Sequence, residues 1–349
     1  MERYYIMQGG KNMFRVLVTG RNFGKITPDF HYFTDRGYEI AENPYKDLNR
    51  MPNEDELCAV IAGVDAILVG NDHMTKRVLD HADLLKVIAK SGIGVDNIDI
   101  AECTRRGIAV VNVPGTTSIP VAELAFGMML NISKLIMYNN RRVMSGLWPV
   151  DRGHDVYHKR VGIVGFGRIG QQFAKRAKAF DMEVYAYDPY MNTAKAEELG
   201  VVVSDLEEIT ETCDYITVHV HKTPQTVNMF DAERIARMKK GSYLINCSRG
   251  GIVNQDDLYD ALMSGHLAGA AADVMEVEPP VERHKLLDCE NYLQCSHIGG
   301  NSQESISETS RIAADNIICI LENLPCYNVV NGAELGKNPE WKSAVSLKS

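Results

Sequence analysis

Several features are missing from this 349-residue sequence, and each absence narrows its class. No apolar run reaches about 18 residues, so no membrane span and no membrane partner is expected. Positive charge is in deficit, with 37 Lys and Arg against 46 Asp and Glu, a formal net charge of −9. That balance argues against nucleic acid or an anionic membrane surface, while leaving room for a local basic site that holds a small anion. The opening stretch "MERYYIMQGGKNMFRVLVTG" lacks a basic start, an apolar core and a small-residue cleavage site, so no signal peptide is expected. The eight cysteines (Cys58, Cys103, Cys213, Cys247, Cys289, Cys295, Cys319 and Cys326) form no CxxC and no metal-ligand spacing. They read as reduced thiols in a cytoplasmic protein, with no metal site. Neither an internal repeat nor a low-complexity tract is present.

What remains is an ordinary globular composition, 45% hydrophobic and 24% charged, with length enough for two domains. Short β-rich runs alternate with helical patterns, which predicts α/β domains with parallel sheets. "FRVLVTG" (14–20), "AILVG" (66–70), "LKVIAKSG" (85–92) and "IAVVNVPG" (108–115) form a first series, with a helix over 53–63. Residues 1–12 read as an irregular extension. A long helix over 120–146, with Pro120 and Glu123 suited to its first turn, reads as the connection to a second domain. There, strands are predicted over 161–165, 183–187, 215–220, 242–248, 268–274 and 292–296. A helix over 302–324 would carry the chain back, and the tail "PCYNVVNGAEL" would pack on the first sheet. The expected architecture is two Rossmann-like or flavodoxin-like domains with a cleft between them. The first, 1–117 with 303–349, is discontinuous and the second spans 118–302.

"VGIVGFGRIG" (161–170) carries Gly165, Gly167 and Gly170 between a strand and the helix "RIGQQFAKRAKAF". A GxGxxG alone is weak evidence, but "MEVYAYD" follows as a second strand ending at Asp188. Gly165 suits the tight turn, Gly167 the approach of a pyrophosphate, and Gly170 the close packing of helix on strand. The helix N-terminus, opened by Arg168 and Ile169, attracts phosphate. Asp188 suits ribose hydroxyls and repels a 2′-phosphate, and "DPYMN" brings no arginine to neutralise one. NAD is therefore expected rather than NADP.

Further on, "INCSRGGIVN" puts Arg249 just past a strand, "GAAADVMEVEPP" ends a strand at Asp273 with Glu278 five residues on, and "LQCSHIGGN" ends one at His297. The glycine-rich "SGIGVDNID" does the same in the first domain. The carboxyl ends of strands in open α/β sheets face the ligand crevice, so these residues are candidates for chemistry.

Together with "SGIGVDNIDIAECTRRGIAVVNVPG", "VAELAFGMML", "CDYITVHV" and "SHIGGNSQES", these stretches resemble the D-isomer-specific 2-hydroxyacid dehydrogenase family, above all its 3-phosphoglycerate dehydrogenase branch. The resemblance spans about residues 85–330. It implies an NAD-dependent dehydrogenase or reductase of a small D-2-hydroxy or 2-oxo acid, with no metal. His297 would be the general acid–base, with Glu278 holding the imidazole and favouring its charged form. Arg249 would grip the substrate carboxylate and polarise the carbonyl. The amides of Ile93, Gly94 and Val95 would complete the carboxylate site. Besides the glycine loop and Asp188, the implied NAD contacts are Val220, Cys247, Ser248, Arg249, Asp273, His297, Gly299 and Gly300.

The sequence also departs from that pattern. Phosphoglycerate-type members carry an arginine–serine pair after the strand that ends here at "AILVG", where this chain has Gly70, Asn71, Asp72 and His73. Lys90 is the candidate substitute for the missing phosphate ligand, and Arg152 a second. The family's His-x-Pro becomes His219-Val220-His221. A C-terminal regulatory domain is not expected. The substrate is left open between 3-phosphoglycerate and hydroxypyruvate- or glyoxylate-like acids. A different class, an NAD-sensing interaction protein of the corepressor type, stays as the alternative. The 120–146 helix is expected to serve a homodimer through the NAD-binding domain.

Overall fold

The computed structural model describes residues 13–20, 23, 30–45, 50 and 52–337; the extension 1–12 lies outside them. The chain divides into two compact units, Met1–Thr117 with Ser302–Ser349, and Ser118–Asn301.

In the first unit the described residues form a five-stranded parallel sheet of β1 (Arg15–Val18), β2 (Glu39–Ile40), β3 (Ala66–Val69), β4 (Val87–Lys90) and β5 (Ala109–Val111). The spatial order is β2-β1-β3-β4-β5. "AILV" in β3 and "VIAK" in β4 are buried along their whole length, as parallel strands covered on both faces must be. The helix Gln303–Leu321 packs on β3, β4 and β5 through Ala313, Ala314, Ile317 and Ile318, with Ser302 capping its first turn. Full burial of an isoleucine such as Ile317 contributes about 1.5–3 kcal/mol. The tail that follows lies against the sheet: Val329 bridges Val111 in antiparallel sense, and Val330 N–H donates to Val110 O.

The second unit carries β6 (Arg160–Val164), β7 (Glu183–Tyr187), β8 (Val202–Val203), β9 (Tyr215–Val218), β10 (Tyr243–Asn246), β11 (Gly269–Ala272) and β12 (Tyr292–Gln294). Their order is β12-β11-β10-β9-β6-β7-β8, again all parallel. The order reverses between β6 and β9, the doubly wound arrangement that opens a crevice at that point.

The expected 120–146 helix is corrected by the structure. It is two helices, Ser118–Lys134 and Ile136–Met144, bent by 62° at Leu135, whose φ of 56 lies in the left-handed region. Both belong to the second unit, where the first of them packs on β10, β11 and β12. The second buries no residue of its own. No single described helix is long and apolar enough to cross a membrane.

Candidate active site

The glycine loop leaves β6 at the switch point. Gly165 has φ +100, and a Cβ there would stand 2.7 Å from the backbone carbonyl of His219, at the end of the neighbouring β9. A Cβ on Gly170 would meet Gly165 O at 2.2 Å, so the helix Arg168–Ala179 packs on the loop backbone only because no side chain intervenes. Gly167 differs: nothing lies within 4 Å of its missing Cβ. It is also the N-cap of that helix and provides no side-chain cap. The space beside Gly167, at the start of the helix that Arg168 and Ile169 open, is therefore free, which fits the pyrophosphate of a dinucleotide. Asp188, past β7, accepts from Phe166 N (2.8 Å, through Oδ2) and Tyr190 N (2.8 Å, through Oδ1). Each carboxylate oxygen keeps acceptor capacity for a ribose hydroxyl.

His219 sits beneath the loop. Its Nε2 is 2.9 Å from Thr217 Oγ1, and its Nδ1 is enclosed without a partner. The residue keeps a little surface, but enclosure of the ring pushes its pKa down to about 3, so it is neutral at physiological pH. Val220 follows, with Cγ1 only 3.0 Å from the position a Gly165 Cβ would take.

At the carboxyl ends of β10, β11 and β12 the unit gathers its reactive groups. His297 Nδ1 donates to Glu278 Oε2 at 2.5 Å, while Glu278 Oε1 accepts from Met275 N at 2.8 Å. Burial raises the Glu278 carboxyl. The hydrogen bonds from His297 and Met275 and the nearby His297 and Arg249 charges outweigh it, and the net shift is downward. Glu278 is thus a carboxylate at neutral pH, and it holds Nδ1–H, which leaves Nε2 as the outward nitrogen of the ring.

His297 itself has φ 57, a conformation unusual for a side-chain-bearing residue. Asp273 enforces it. Its carbonyl accepts from His297 N (2.7 Å), its Oδ1 from Ile298 N (2.8 Å) and its Oδ2 from Gly299 N (2.7 Å). Asn301 N–H closes the turn around Gly299 and Gly300 onto Ile298 O. Asp273 is 3% exposed; burial pushes its carboxyl up, against the downward pull of the two N–H donors. The residue that the resemblance makes a cofactor contact is thus, in the first place, the peg on which the His297 loop hangs.

Arg249 is positioned by a residue that sequence reasoning missed. Asn246, at the end of β10, accepts from Ser248 N (3.0 Å) and Ser248 Oγ (2.6 Å) and donates to Arg249 O (3.1 Å). Arg249 Nη1 folds back to Ser248 O at 2.8 Å. Gly250 was missed too: a Cβ there would lie 1.8 Å from Met275 O, so the Arg249 and Glu278 loops touch backbone to backbone. Gln255 Oε1 accepts from Glu276 N at 2.8 Å and steadies the same junction. An Asn ending an apolar strand before a Ser-Arg-Gly-Gly turn is the signal that could have found the first two. Cys247 is buried, its Sγ 3.6 Å from Met128 Sδ, and burial pushes its thiol well above the ordinary range. Any contact it makes with a ligand would be through its backbone.

Of the remaining predicted residues, Arg152 is exposed in the second unit and the others lie in the first. Ile93, Gly94 and Val95 follow β4, and Asn112 Nδ2 donates to Ile93 O at 2.9 Å. Lys90, expected as a ligand for a substrate phosphate, is 5% exposed and committed elsewhere. Its Nζ donates to Gly70 O (2.5 Å), Asn71 Oδ1 (2.7 Å) and Asn97 Oδ1 (3.2 Å), as many acceptors as an ammonium has protons. No group of three or more His, Cys, Asp or Glu suited to a metal occurs among the described residues.

Comparison with known proteins agrees with this arrangement. Residues 126–299 match the sequence model described as "D-isomer specific 2-hydroxyacid dehydrogenase, NAD binding domain". The chain is 40% identical over 282 residues to the D-3-phosphoglycerate dehydrogenase of Methanocaldococcus jannaschii, covering 80% of this chain and 54% of that one. It spans about half the length of such relatives. It is 39% identical over 258 residues to the hydroxypyruvate reductase of Thermotoga maritima, covering 72% of this chain and 83% of that protein. Among solved structures, the TT0316 protein of Thermus thermophilus superposes with a TM-score of 0.81 at 31% identity, over 90% of this chain and 99% of that one. The chain belongs to the D-isomer specific 2-hydroxyacid dehydrogenase family, and its second unit contains that family's NAD-binding domain.

Proposed function

We propose that this chain is an NAD-dependent oxidoreductase acting at C2 of a small D-2-hydroxy or 2-oxo acid. The observation that supports the reading best is the His297–Glu278 hydrogen bond at the edge of the sheet that also carries the glycine loop. NAD, when bound, supplies the acceptor or donor of hydride. The protein's own residues do the rest. His297 Nε2 gives a proton to the C2 oxygen in reduction and takes it back in oxidation, while Glu278 fixes the ring. Arg249 holds the substrate carboxylate with its guanidinium fork. Gly165, Gly167, Arg168, Ile169, Gly170, Val220 and Asp188 form the dinucleotide cradle. Asp188 selects NAD, because a 2′-phosphate would meet its carboxylate.

The same proposal takes in assembly and compartment. The bent-away helix Ile136–Met144 and the segment after it expose Met144 (80%), Trp148 (86%) and Val150 (88%), a contiguous apolar stretch fit for a second copy of the chain. Light scattering should then give a homodimer. All eight cysteines are free thiols, as suits a cytoplasmic enzyme.

The deciding experiment is a panel of 2-oxo acids with NADH and of 2-hydroxy acids with NAD, with His297→Ala alongside. Turnover that the variant loses while it still binds NADH supports the enzyme reading. NADH binding without turnover of any acid supports the NAD-sensing alternative.

A further inference from the structure

The Glu278 carboxylate rides on an exposed strap. Every residue from Glu276 to Arg283 is exposed, Val281 at 89%, between the buried Met275 and the buried Leu286. Two consecutive residues of one helix, Gln255–Met263, hold its two ends. At the near end Gln255 Oε1 accepts from Glu276 N at 2.8 Å, two residues before Glu278. At the far end Asp256 Oδ1 stands 3.6 Å from His284 Nε2 and 2.9 Å from Lys285 Nζ.

The two ties are not equal. The side chains of Asp256 and Lys285 are 67% and 47% exposed, and ion pairs in water contribute little. The near tie is a hydrogen bond to the backbone, and the packing beneath it is incomplete. A cavity of about 20 Å³, room for a single water, is lined there by Gly250, Gln255, Val274 and Leu286, among others. Apart from the contact of Gly250 with Met275 O, the hydrogen bond from Glu276 therefore sets the course on which the strap leaves β11. Glu278 Oε1 then turns back onto Met275 N, so Glu276 lies inside the turn that brings the carboxylate to His297. The start of the helix is itself fixed. Asn254 Oδ1 caps Asp256 N and Asp257 N, and Asn254 N donates to Phe230 O.

We propose that Gln255 is a positioning residue for the acid–base pair. By holding the Glu276 amide it sets the place from which Glu278 meets His297 Nδ1, and through the ring it sets where Nε2 points. The proposal rests on the enzyme reading above. Gln255 acts through Glu278, so its loss costs alignment and leaves the proton donor in place. Small misplacements of a catalytic group lower the rate of the chemical step more than they weaken binding.

Three variants of the full chain test this, each read by hydrogen exchange and by steady-state kinetics on a 2-oxo acid that the wild type reduces with NADH. In Gln255→Ala the amides of 276–278 should exchange about fivefold faster, what one net hydrogen bond is worth, and kcat should fall by a similar factor. KM for the acid and the melting temperature should stay nearly unchanged, since Arg249 keeps its own supports in Asn246 and Gly250. Gln255→Glu keeps the accepting oxygen and should restore both exchange and kcat. Gln255→Met keeps the length without that oxygen and should match the alanine variant; it decides alone if the alanine variant does not fold. Unchanged exchange in both, faster exchange with unchanged kcat, a kcat loss that Gln255→Glu shares, or a loss confined to KM would overturn the proposal. Absence of turnover for every 2-oxo acid defeats the enzyme reading instead, and the exchange rates then judge the Gln255 tie on their own.

Discussion

At the β6/β9 switch point the chain presents backbone N–H groups around a glycine with nothing beside it. At the β1/β3 switch point it presents Thr19, Asn71, Asp72 and Lys90, folded onto one another and, but for the exposed Asn71, buried. Both places obey the same rule of open sheets, yet one is built from donors without side chains and the other from side chains around the buried Asp72. Topology therefore says where a crevice opens, and the residues just past each strand say what fills it. The first crevice suits a dianionic diphosphate in any sequence with this glycine spacing. The second depends on Gly70–Asn71–Asp72, which stand where the resemblance implies an arginine–serine pair.

Substitutions can break this contrast, or sharpen it, by separating function in one unit from stability in the other. The largest effect is expected at His297: replacement by alanine should lower kcat by about 10²–10⁴-fold, the usual worth of a positioned acid–base, with NADH still bound in a fluorescence titration. Lys90→Met comes next. It removes the bonds to Gly70 O, Asn71 Oδ1 and Asn97 Oδ1; Asn71 is exposed and Gly70 O keeps a bond from Asn97 Nδ2, so the first unit should be destabilised by about 2 kcal/mol. Faster hydrogen exchange in β3 and β4 with undiminished NADH affinity would show it; equal exchange in β6 and β9 would erase the distinction between the units. Asn246→Ala removes three bonds from the Arg249 loop and should lower kcat/KM by about thirtyfold, or roughly 2 kcal/mol, with little change in melting temperature.

The smallest effect is a pH slope. His219 is held neutral down to about 3, whereas an unfolded chain would protonate it near 6.5, as an ordinary imidazole does. Between those values the unfolded state binds the extra proton, so stability falls as pH falls through this window, by at most about 1.4 kcal/mol per pH unit. Urea titrations from pH 7 to 4 should show the slope, and His219→Gln should flatten it.

The parts of the molecule that were legible in the sequence are those whose chemistry is local. The glycine spacing, Asp188 eighteen residues past Gly170, and Arg249 and His297 at strand ends all depend on neighbours a few positions away. Residues whose partners are remote were not legible. Asp273 takes its meaning from amides 25 and 26 positions on, and Lys90 from carbonyl and amide oxygens 20 and 19 positions back. Nor could two-residue edge strands such as Glu39–Ile40 and Val202–Val203 show an alternation pattern. The break at Leu135 was hidden because leucine is a good helix former, and only the backbone reveals its left-handed turn.

The Asp273 peg has one more consequence. His297 hangs from Asp273, and Glu278 takes its orienting N–H from Met275, so both halves of the proton-handling pair are referenced to the end of β11 rather than to two separate strands. Surveyed from a common benchmark, they keep their mutual distance when that strand shifts. An error in placing β11 would move the pair as one piece toward or away from its ligand, and would alter reach before it altered the proton relay itself.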